Sequence, residues 1–368
     1  MALKYNNIYV AATSQHVGKT TTTLGLTAAY QSMGLNVGYC KPVGQKYLGV
    51  KNIKVDKDCI LFSDLIGFDM DPKIHSPVIL PKGATKNYLE NPDAFDYEAD
   101  ILMAKKYRDA HDDITIYEGT GHTGVGSVVD LSNAKVAKML NAGVVMVIEG
   151  GIGKTIDMLN MTTALFREEN VPLLGVIINK VVPDKLENVR KYVSIWLERR
   201  GIPLLGIAPY DQILAYPLLS TVCKSLKGEA LYFGDKLDNR VENMLAGSLV
   251  DLKGLRDSQN ILLVASSSTV DRALNKVKSY SKHSEVNDSP LVGLVVTGKV
   301  DLKEESLNYI QAHKIPVITS HFDTYGAVTK INSIEVKINR RTPWKVKRAI
   351  SMVQRHVDLD KILALSLK

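Results

Sequence analysis

Residues 8–27, which read IYVAATSQHVGKTTTTLGLT, constrain the fold of this chain more than any other segment. An apolar run precedes a loop of small residues that ends Gly18-Lys19-Thr20, and a run able to start a helix follows. That order predicts a phosphate-binding loop, in which backbone N–H groups and the positive end of a helix surround the phosphates. In such a loop a lysine meets the outer phosphate oxygens and a hydroxyl holds Mg²⁺, and Lys19 and Thr20 fill these two positions.

The loop departs from the usual pattern G-x-x-x-x-G-K-[ST] at its first position, where Thr13 replaces glycine. An ordinary strand-to-helix turn is therefore the alternative interpretation. The flanking strand and helix favour a nucleotide site, because they are the context in which the motif works. The expected nucleotide contacts in the loop are Thr13, Gln15, His16, Val17, Gly18, Lys19, Thr20 and Thr21.

The length of 368 residues allows two domains with complete cores, because single cores rarely grow beyond about 250–300 residues. An apolar content of 45% and a charged content of 23% are typical of soluble globular proteins. The chain has no apolar stretch long enough to span a membrane and no signal-peptide region, so we expect a cytoplasmic protein without a membrane partner. Its scattered cysteines fit neither a disulfide framework nor a zinc site. They are Cys40, Cys59 and Cys223.

The formal net charge of +7 raises the question of a nucleic-acid partner. The excess is scattered apart from one dense segment, residues 337–348 (KINRRTPWKVKR). No aromatic-interleaved RNA motif or DNA-binding helix pair accompanies it, so a solvated face is the favoured interpretation. A polyanionic nucleotide would also suit this charge.

Apolar runs alternate with amphipathic helical segments through the first part of the chain. Short runs rich in valine and isoleucine in this arrangement predict an α/β fold, with a parallel sheet covered by helices on both faces. The predicted strands are IYVAA, LNVGYCKPV, ITIYEG, GVVMVIEG, LLGVIINKV and PLLGIAP. Residues 52–110 interrupt this pattern with helical material and a Pro/Gly-rich segment, SPVILPKGATKNYLENP, which fits either a surface loop or a lid.

A second, shorter alternation predicts a smaller α/β domain. Its strands would be NILLVASSS, PLVGLVVTG, IPVITS and SIEVKIN. We therefore expect a first domain over residues 1–220, a linker over 221–242 and a second domain over 243–368.

Polar residues at the ends of the predicted strands would lie where ligands of open α/β sheets bind. Lys41, in YCKPVGQ, is a candidate functional lysine, and its alternative is an exposed residue at a strand end. Glu118, at the end of ITIYEG, could hold Mg²⁺ directly or through water. Asp56 and Asp58, in VDKDC, offer one more acidic ligand, or either could simply cap a helix.

Two later strand ends and a second glycine-rich turn complete the candidate site. Asn179, Pro209 and Tyr210 stand where an adenine base could be reached, although Asn179 could also be a plain turn residue. Residues 149–155, EGGIGKT, resemble a second phosphate loop but lack its first glycine. We interpret these glycines as a close approach to substrate or to a second subunit.

Six segments resemble, in order and spacing, the dethiobiotin synthetase-like family of P-loop proteins. They are AATSQHVGKTT, YCKPVGQ, VDKDC, IYEGTGH, VIINKV and LGIAPYDQILAYP, within residues 1–220. The family also supplies the N-terminal domain of some long bacterial phosphate acetyltransferases. The resemblance implies ATP and Mg²⁺ as cofactors, with a catalytic set of Lys19, Lys41 and Glu118. It further implies metal ligation by Thr20, Glu118 and Asp58, with Asp56 as the substitute, and adenine contact by Asn179.

The sequence departs from true dethiobiotin synthetases at two places, which affects the expected substrate. His16 replaces an acidic residue of the loop, and GHTGVGSVVDLSNA replaces a shorter segment after Glu118. The second domain resembles the DRTGG domain in LVVTG, IPVITSHFDTYGAV and IEVKIN, although the string DRTGG is absent. Because no acetyltransferase domain follows, the chain resembles a free-standing version of that enzyme's regulatory half.

Three functions are compatible with these features. The favoured one is an ATP-binding and ATP-hydrolysing protein whose nucleotide state is coupled to a partner or ligand through the second domain. The alternative is an ATP-dependent ligase of the dethiobiotin synthetase or cobyrinate amidating type, acting on a small carboxylate or carbamate. A nucleic-acid-binding module is the weakest. The resemblance also implies a homodimer, with residues 121–126 and 150–153 near its interface. In the second domain, residues 320–325 form the expected ligand surface, although Asp323 could be only a helix cap.

Overall fold

The computed structural model describes residues 5–50, 53–247, 259–283 and 288–366 of the chain. These residues belong to two compact units, the first formed by residues 1–211 with 338–368 and the second by residues 212–337. In chain order, the strands and helices of the first unit are β1 (Asn7–Ala12), α1 (Lys19–Ser32), β2 (Val37–Cys40), β3 (Val43–Gly44), β4 (Tyr47–Val50), β5 (Ile53–Asp56), α2 (Lys57–Ile66), α3 (Pro72–His75), β6 (Val78–Ile79), α4 (Ala84–Glu90), α5 (Tyr97–His111), β7 (Ile114–Glu118), α6 (Asn133–Met139), β8 (Gly143–Glu149), α7 (Gly153–Glu168), β9 (Leu173–Val181), α8 (Leu186–Glu198) and β10 (Leu204–Pro209). The second unit contains α9 (Gln212–Ala215), α10 (Leu219–Ser225), β11 (Ala230–Tyr232), β12 (Asn243–Ala246), β13 (Ile261–Ser266), α11 (Val270–His283), β14 (Leu291–Thr297), α12 (Glu304–Ala312), β15 (Val317–Ser320) and α13 (Thr324–Asn332), after which the first unit resumes with α14 (Pro343–His356) and α15 (Leu359–Ser366).

A six-stranded parallel sheet forms the centre of the first unit, in the order β10-β9-β8-β1-β7-β2. Alternate residues of β1 point to opposite faces, because side chains in a strand have a period of two. Tyr9 and Ala11 enter one apolar cluster, whereas Ile8 and Val10 enter the other. Both faces are therefore covered, which explains why these strands are continuous apolar runs. The predicted α/β fold with a helix-covered parallel sheet is confirmed.

The segment between β2 and β7 packs against the central sheet of the first unit. β3 pairs with β6, and β4 pairs with β5 to form a short antiparallel hairpin. The Pro/Gly-rich segment contributes β6 and α4, and Val78 of β6 is buried. On α2, the ring of Phe62 stacks on Tyr39 of β2 with centroids 3.6 Å apart. These contacts bring the start of α2 close to the end of β2.

The last two helices, α14 and α15, belong to the first unit, which differs from the predicted domain boundaries of 220 and 243. Val353 of α14 and Ile362 of α15 are buried in the same cluster as Ile8 and Val10. The backbone N–H of Asp358 donates to the Leu205 carbonyl at 2.7 Å and thereby fixes the turn between the helices to β10. The periodicity of an amphipathic helix predicts that one face packs on a core, but it does not indicate which core. The domain boundary was therefore misplaced.

The second unit has a five-stranded sheet in the order β11-β15-β14-β13-β12. β12 to β15 are parallel, and β11 joins one edge in the antiparallel direction. Three of the four predicted strands are present, but the prediction for SIEVKIN was wrong, since residues 334–339 form neither helix nor strand. Its alternating pattern has a different cause, because Ile334 packs in a cluster of the second unit and Ile338 in one of the first.

Among the described residues, no helix combines the length and the apolar composition needed to cross a bilayer.

We predict that Gly25→Ala destabilises the first unit. A Cβ at Gly25, in the middle of α1, would lie 2.7 Å from Cγ1 of Val353 and closer still to two further atoms of that side chain. Alanine favours a helix by up to about 1 kcal/mol over glycine, whereas overpacking costs about 1–3 kcal/mol. We therefore expect a lower urea midpoint for Gly25→Ala in unfolding followed by circular dichroism. Gly153→Ala is the matched control, because its Cβ would meet nothing within 4 Å. A midpoint for Gly25→Ala at or above that of the control would contradict the packing of α14 on α1.

Candidate functional site

The loop between β1 and α1 lies at the carboxyl edge of the parallel sheet. Gly18 precedes the first residue of α1 and has φ of 117°, in the region that favours glycine. A Cβ at this position would also collide with the side-chain amide of Asn179. The chain therefore requires glycine at position 18 for two independent reasons, which are its backbone conformation and the approach of β9.

Lys19 and Thr20 connect this loop to the end of β7. The Lys19 ammonium donates to the carbonyl of Ser14 at 3.2 Å and to that of Gly121 at 2.7 Å. The Thr20 hydroxyl donates to Glu118 Oε1 at 2.7 Å. The structure therefore brings the predicted lysine, hydroxyl and carboxylate together at the first turn of α1, where backbone N–H groups have no acceptor within the helix.

The other side of the loop is held by two consecutive residues at the end of β9. Asn179 Nδ2 donates to the Val17 carbonyl at 2.8 Å, and the Lys180 ammonium donates to the His16 carbonyl at 2.5 Å. His16 and Lys180 themselves have φ of 60° and 57°. Left-handed conformations at residues other than glycine are uncommon and persist where surrounding contacts determine them. The backbone path of the loop is thus set by side chains of β9.

A buried group of charges lies next to Glu118. The Lys41 ammonium forms an ion pair with Asp58 and lies 3.4 Å from a carboxylate oxygen of Asp56. Glu118 also accepts a hydrogen bond at 3.2 Å from the Tyr39 hydroxyl. Burial acts to lower the pKa of Lys41, but the neighbouring carboxylates outweigh it and raise that pKa well above its ordinary value. Lys41 is thus a buried, charged lysine and not an exposed strand-end residue.

Two carboxyl groups of this cluster are destabilised as anions. Burial raises the pKa of Glu118 and of Asp56, and the nearby lysine only partly opposes it. Asp56 also caps α2, since its side chain accepts from the backbone N–H of Asp58 at 2.9 Å. The alternative of a helix cap therefore applies to Asp56. A further cation close to Glu118 or Asp56 would favour the ionised form of these carboxyl groups.

No group of three or more His, Cys, Asp or Glu side chains in the described part of the chain is arranged to hold a metal ion alone. Mg²⁺ usually binds through one or two carboxylates together with waters and substrate phosphates. Thr20 and Glu118 suit that donor set. Asp58 lies in the same cluster, although its partner here is Lys41.

The residues predicted to meet adenine occupy the ends of β9 and β10. Pro209 ends β10, and the backbone N–H of Tyr210 donates to the Val181 carbonyl at 2.7 Å. The Tyr210 side chain is 45% exposed, whereas Asn179 is buried beside the loop. The strand ends are adjacent, as expected, but the amide nitrogen of Asn179 faces the loop backbone.

The second glycine-rich turn, EGGIGKT, makes different contacts from those of the loop between β1 and α1. The Thr155 hydroxyl donates to the carbonyl of Glu149, in its own turn, at 2.9 Å. Gly150 packs close to the backbone of Val181, where a Cβ would lie 2.7 Å from Cα. This contact explains a glycine at position 150 by packing between β8 and β9.

The dense basic segment is not a uniform solvated face. Lys345 is fully buried, and burial lowers its pKa to about 7. Arg348 forms an ion pair with Asp211. Part of the positive charge in residues 337–348 is thus used inside the first unit, which corrects the expectation of a wholly solvated stretch.

In the second unit, Asp323 is a helix cap. Its side chain accepts from the backbone N–H of Gly326 at 2.6 Å at the start of α13. Tyr325 on the first turn is 81% exposed. Residues 320–325 remain a candidate ligand surface only through their exposed side chains.

Sequence reasoning missed three residues that shape the site, namely Tyr39, Lys180 and Asn133, the last of which donates from its side chain to the carbonyls of Thr120 and His122. Tyr39 and Asn133 are buried in or beside predicted elements, where an isolated polar residue gives no sign of its partner. Lys180 directly follows Asn179 in VIINKV, and this pairing at a strand end was the available signal.

Comparisons with known proteins identify a family for the first part of the chain. Residues 6–217 match the model of a protein family described as an AAA domain. Phosphate acetyltransferase of Nitrosomonas europaea is 23% identical over 96% of this chain and 50% of its own length. A probable cobyric acid synthase of Methanocaldococcus jannaschii is 28% identical over 57% of this chain and 46% of its own length. The chain thus spans about half the length of these curated relatives. Among solved structures, the MinD cell division protein of Aquifex aeolicus covers 57% of this chain and 84% of its own, with 14% identity and a TM-score of 0.37.

We predict that Lys41→Met destabilises the protein, and more so as the pH rises. The substitution leaves Asp56 and Asp58 without their cation, and breaking a buried pair costs about 3–5 kcal/mol. A carboxyl group whose pKa is higher in the folded than in the unfolded protein stabilises the fold at low pH. This stabilisation is lost as the pH rises through the pKa of the folded state. The melting temperature of Lys41→Met should therefore fall further below wild type at pH 8 than at pH 5.5. Lys46→Met, at an exposed lysine, is the control. Equal melting temperatures of Lys41→Met and wild type at both pH values would show that Lys41 does not neutralise the cluster.

Proposed function

We propose that this protein, which belongs to the P-loop AAA domain family that residues 6–217 match, binds Mg-ATP at the loop between β1 and α1 and hydrolyses it. Its family makes it a P-loop protein of nucleotide-binding type. The observation that carries the proposal is that Lys19, Thr20 and Glu118 lie together at the first turn of α1. Lys19 would contact the outer phosphate oxygens, and the first-turn N–H groups of α1 would surround the phosphates.

The donor set supports Mg²⁺ as the metal. Thr20 and Glu118 would hold it, and Asp58 would contribute through the same cluster. When bound, Mg²⁺ neutralises charge on the phosphate oxygens. Lys19 adds a positive charge on the outer phosphate, which is where negative charge resides during phosphoryl transfer. For the base, we propose that Asn179, Pro209 and Tyr210 form one side of the adenine site.

The state of Lys41 favours an ATPase over a ligase. A ligase of the dethiobiotin synthetase type would use this lysine at a carboxylate or carbamate substrate. In the structure its ammonium is buried and engaged by Asp58 and Asp56. A substrate carboxylate would have to displace one of these partners, at the cost of breaking a buried ion pair.

A ligase remains the second candidate because the cobyric acid synthase relative covers 57% of this chain. A thermal-shift screen against nucleotides, diaminopelargonate, corrinoid acids and acyl phosphates distinguishes the two functions. Stabilisation by Mg-ATP alone supports the ATPase. A second small molecule that stabilises only in the presence of Mg-ATP supports the ligase.

We further propose that the second unit is a DRTGG-like regulatory domain and that the protein is a cytoplasmic homodimer. Phosphate acetyltransferases align with 96–97% of this chain over about half their own length, and this match, which includes both units, supports the proposal. Any shortened chain that tests this coupling must retain residues 338–368, because α14 and α15 complete the core of the first unit. Light scattering would test the dimer against the chain mass of 40.5 kDa.

We predict that Lys19→Ala abolishes Mg-ATP binding, because its ammonium is the cation held at the Ser14 and Gly121 carbonyls, beside the first turn of α1. Calorimetry on the full chain should show a loss of affinity of about a hundredfold or more, as expected for a charged hydrogen-bonding group at a phosphate. The matched control is Lys154→Ala, which changes the exposed lysine of the second GKT sequence. Equal ATP affinity in both variants would contradict the proposed site.

We predict that Glu118→Gln and Asp58→Asn weaken the metal-dependent step more than they weaken nucleotide binding without metal. Each change removes a negative charge with little change of shape, and Mg²⁺ prefers anionic oxygen. Because burial raises the pKa of Glu118, its replacement should not lower the melting temperature of the nucleotide-free protein. The measurement is a Mg²⁺ titration of hydrolysis. An unchanged midpoint in both variants would mean that these carboxylates are not the ligands.

A further inference from the structure

The segment that follows β7, residues 119–123, is held by a buried side chain. Asn133, the first residue of α6, donates through Nδ2 to the carbonyls of Thr120 at 2.8 Å and His122 at 2.6 Å. Its Oδ1 accepts from the backbone N–H of Thr120 at 3.0 Å. One amide therefore uses both of its donors and its acceptor on this short stretch of backbone.

A residue of the central sheet fixes the orientation of the Asn133 side chain. The hydroxyl of Tyr9, in the middle of β1, donates to Asn133 Oδ1 at 2.6 Å. Both residues are buried, and a Cβ on Gly119 would lie 2.7 Å from Asn133 Oδ1 and 2.9 Å from the Tyr9 ring. The backbone at residue 119 thus passes directly over this pair, and only glycine leaves enough space.

The carbonyl of Gly121 lies between the two backbone contacts of Asn133. This carbonyl accepts the 2.7 Å hydrogen bond from the Lys19 ammonium. Gly121 has φ of 64°, so the turn at this residue is in the left-handed region. A continuous set of hydrogen bonds therefore runs from Tyr9 through Asn133 and the backbone of residues 120–122 to Lys19.

We propose that Asn133 is a positioning residue for Lys19, and that it acts by holding the Gly121 carbonyl where it orients the ammonium toward the outer phosphate of a nucleotide. The proposal rests on the proposed function and adds to it a residue outside the loop and the carboxylate cluster. The two carbonyl acceptors restrict the conformation of the Lys19 side chain before a nucleotide binds, which reduces the ordering required on binding.

The test measures Mg-ADP affinity by calorimetry and amide hydrogen exchange of residues 119–123 without nucleotide, both on the full chain. Asn133→Ala removes all the contacts of the side chain, and Tyr9→Phe removes only the hydroxyl. Val193→Ala is the control for lost stability, because Val193 is buried on α8 and its apolar side chain makes no hydrogen bond to the loop or to residues 119–123. Lys19→Ala gives the upper limit of the effect.

For Asn133→Ala we expect Mg-ADP to bind about tenfold more weakly and residues 119–123 to exchange faster. Tyr9→Phe should give a smaller change in the same direction, and it keeps the test decisive if Asn133→Ala does not fold. Val193→Ala should leave the affinity within about twofold of wild type despite its lower melting temperature. A purely structural role predicts the same affinity change for Asn133→Ala and Val193→Ala, and that result would overturn the proposal.

The outcomes also separate this proposal from the proposed function. Wild-type protein that binds no Mg-nucleotide would refute both. Wild-type binding that is lost in Lys19→Ala but unchanged in Asn133→Ala and Tyr9→Phe would refute only the positioning role.

Discussion

The parallel pairing of β1 with β7 is the constraint on which the candidate site depends. In this register Val10 lies opposite Glu118, so the residues that leave the two strands emerge side by side. Thr20 and Glu118 are 98 positions apart in the chain and nevertheless form a direct hydrogen bond. The remaining contacts of the loop add to this pairing. β9 holds the carbonyls of His16 and Val17 on one side, while Lys19 reaches Gly121 on the other.

The electrostatics of the site reflect a conflict between stability and ligand binding. Buried carboxylates disfavour the fold in their ionised form, and burial raises the pKa of Asp56 and of Glu118 although Lys41 lies close to both. Groups with perturbed pKa values are typical of functional sites. Because the Lys41 ammonium is engaged by Asp56 and Asp58, it could contact a substrate only after these partners rearranged.

Local sequence predicted the strands, the phosphate loop and the acidic cluster because each depends on a short pattern. The runs around Ile8 and Ile116 have the apolar composition of doubly covered strands, and the order of strand, small-residue loop and helix around Lys19 is the context in which the phosphate-loop motif works. The pattern could not predict the pairing of Lys41 with Asp58, since this depends on how α2 packs against Tyr39. Nor could it predict that Val353 returns to the first unit, because amphipathic periodicity identifies a buried face without naming its partner. SIEVKIN shows the opposite error, in which an alternating pattern arose from contacts with two different cores.

Hydrogen exchange of the full chain with and without Mg-ADP tests the central claim most directly, because it locates the nucleotide without substituting any residue. The account predicts slower exchange at the amides of residues 14–21 and 118–122. It predicts no change at residues 150–155, where the second GKT sequence begins α7 and the Thr155 hydroxyl donates to the Glu149 carbonyl. Protection at residues 150–155 in place of the first loop, or no protection anywhere under saturating Mg-ADP, would contradict it.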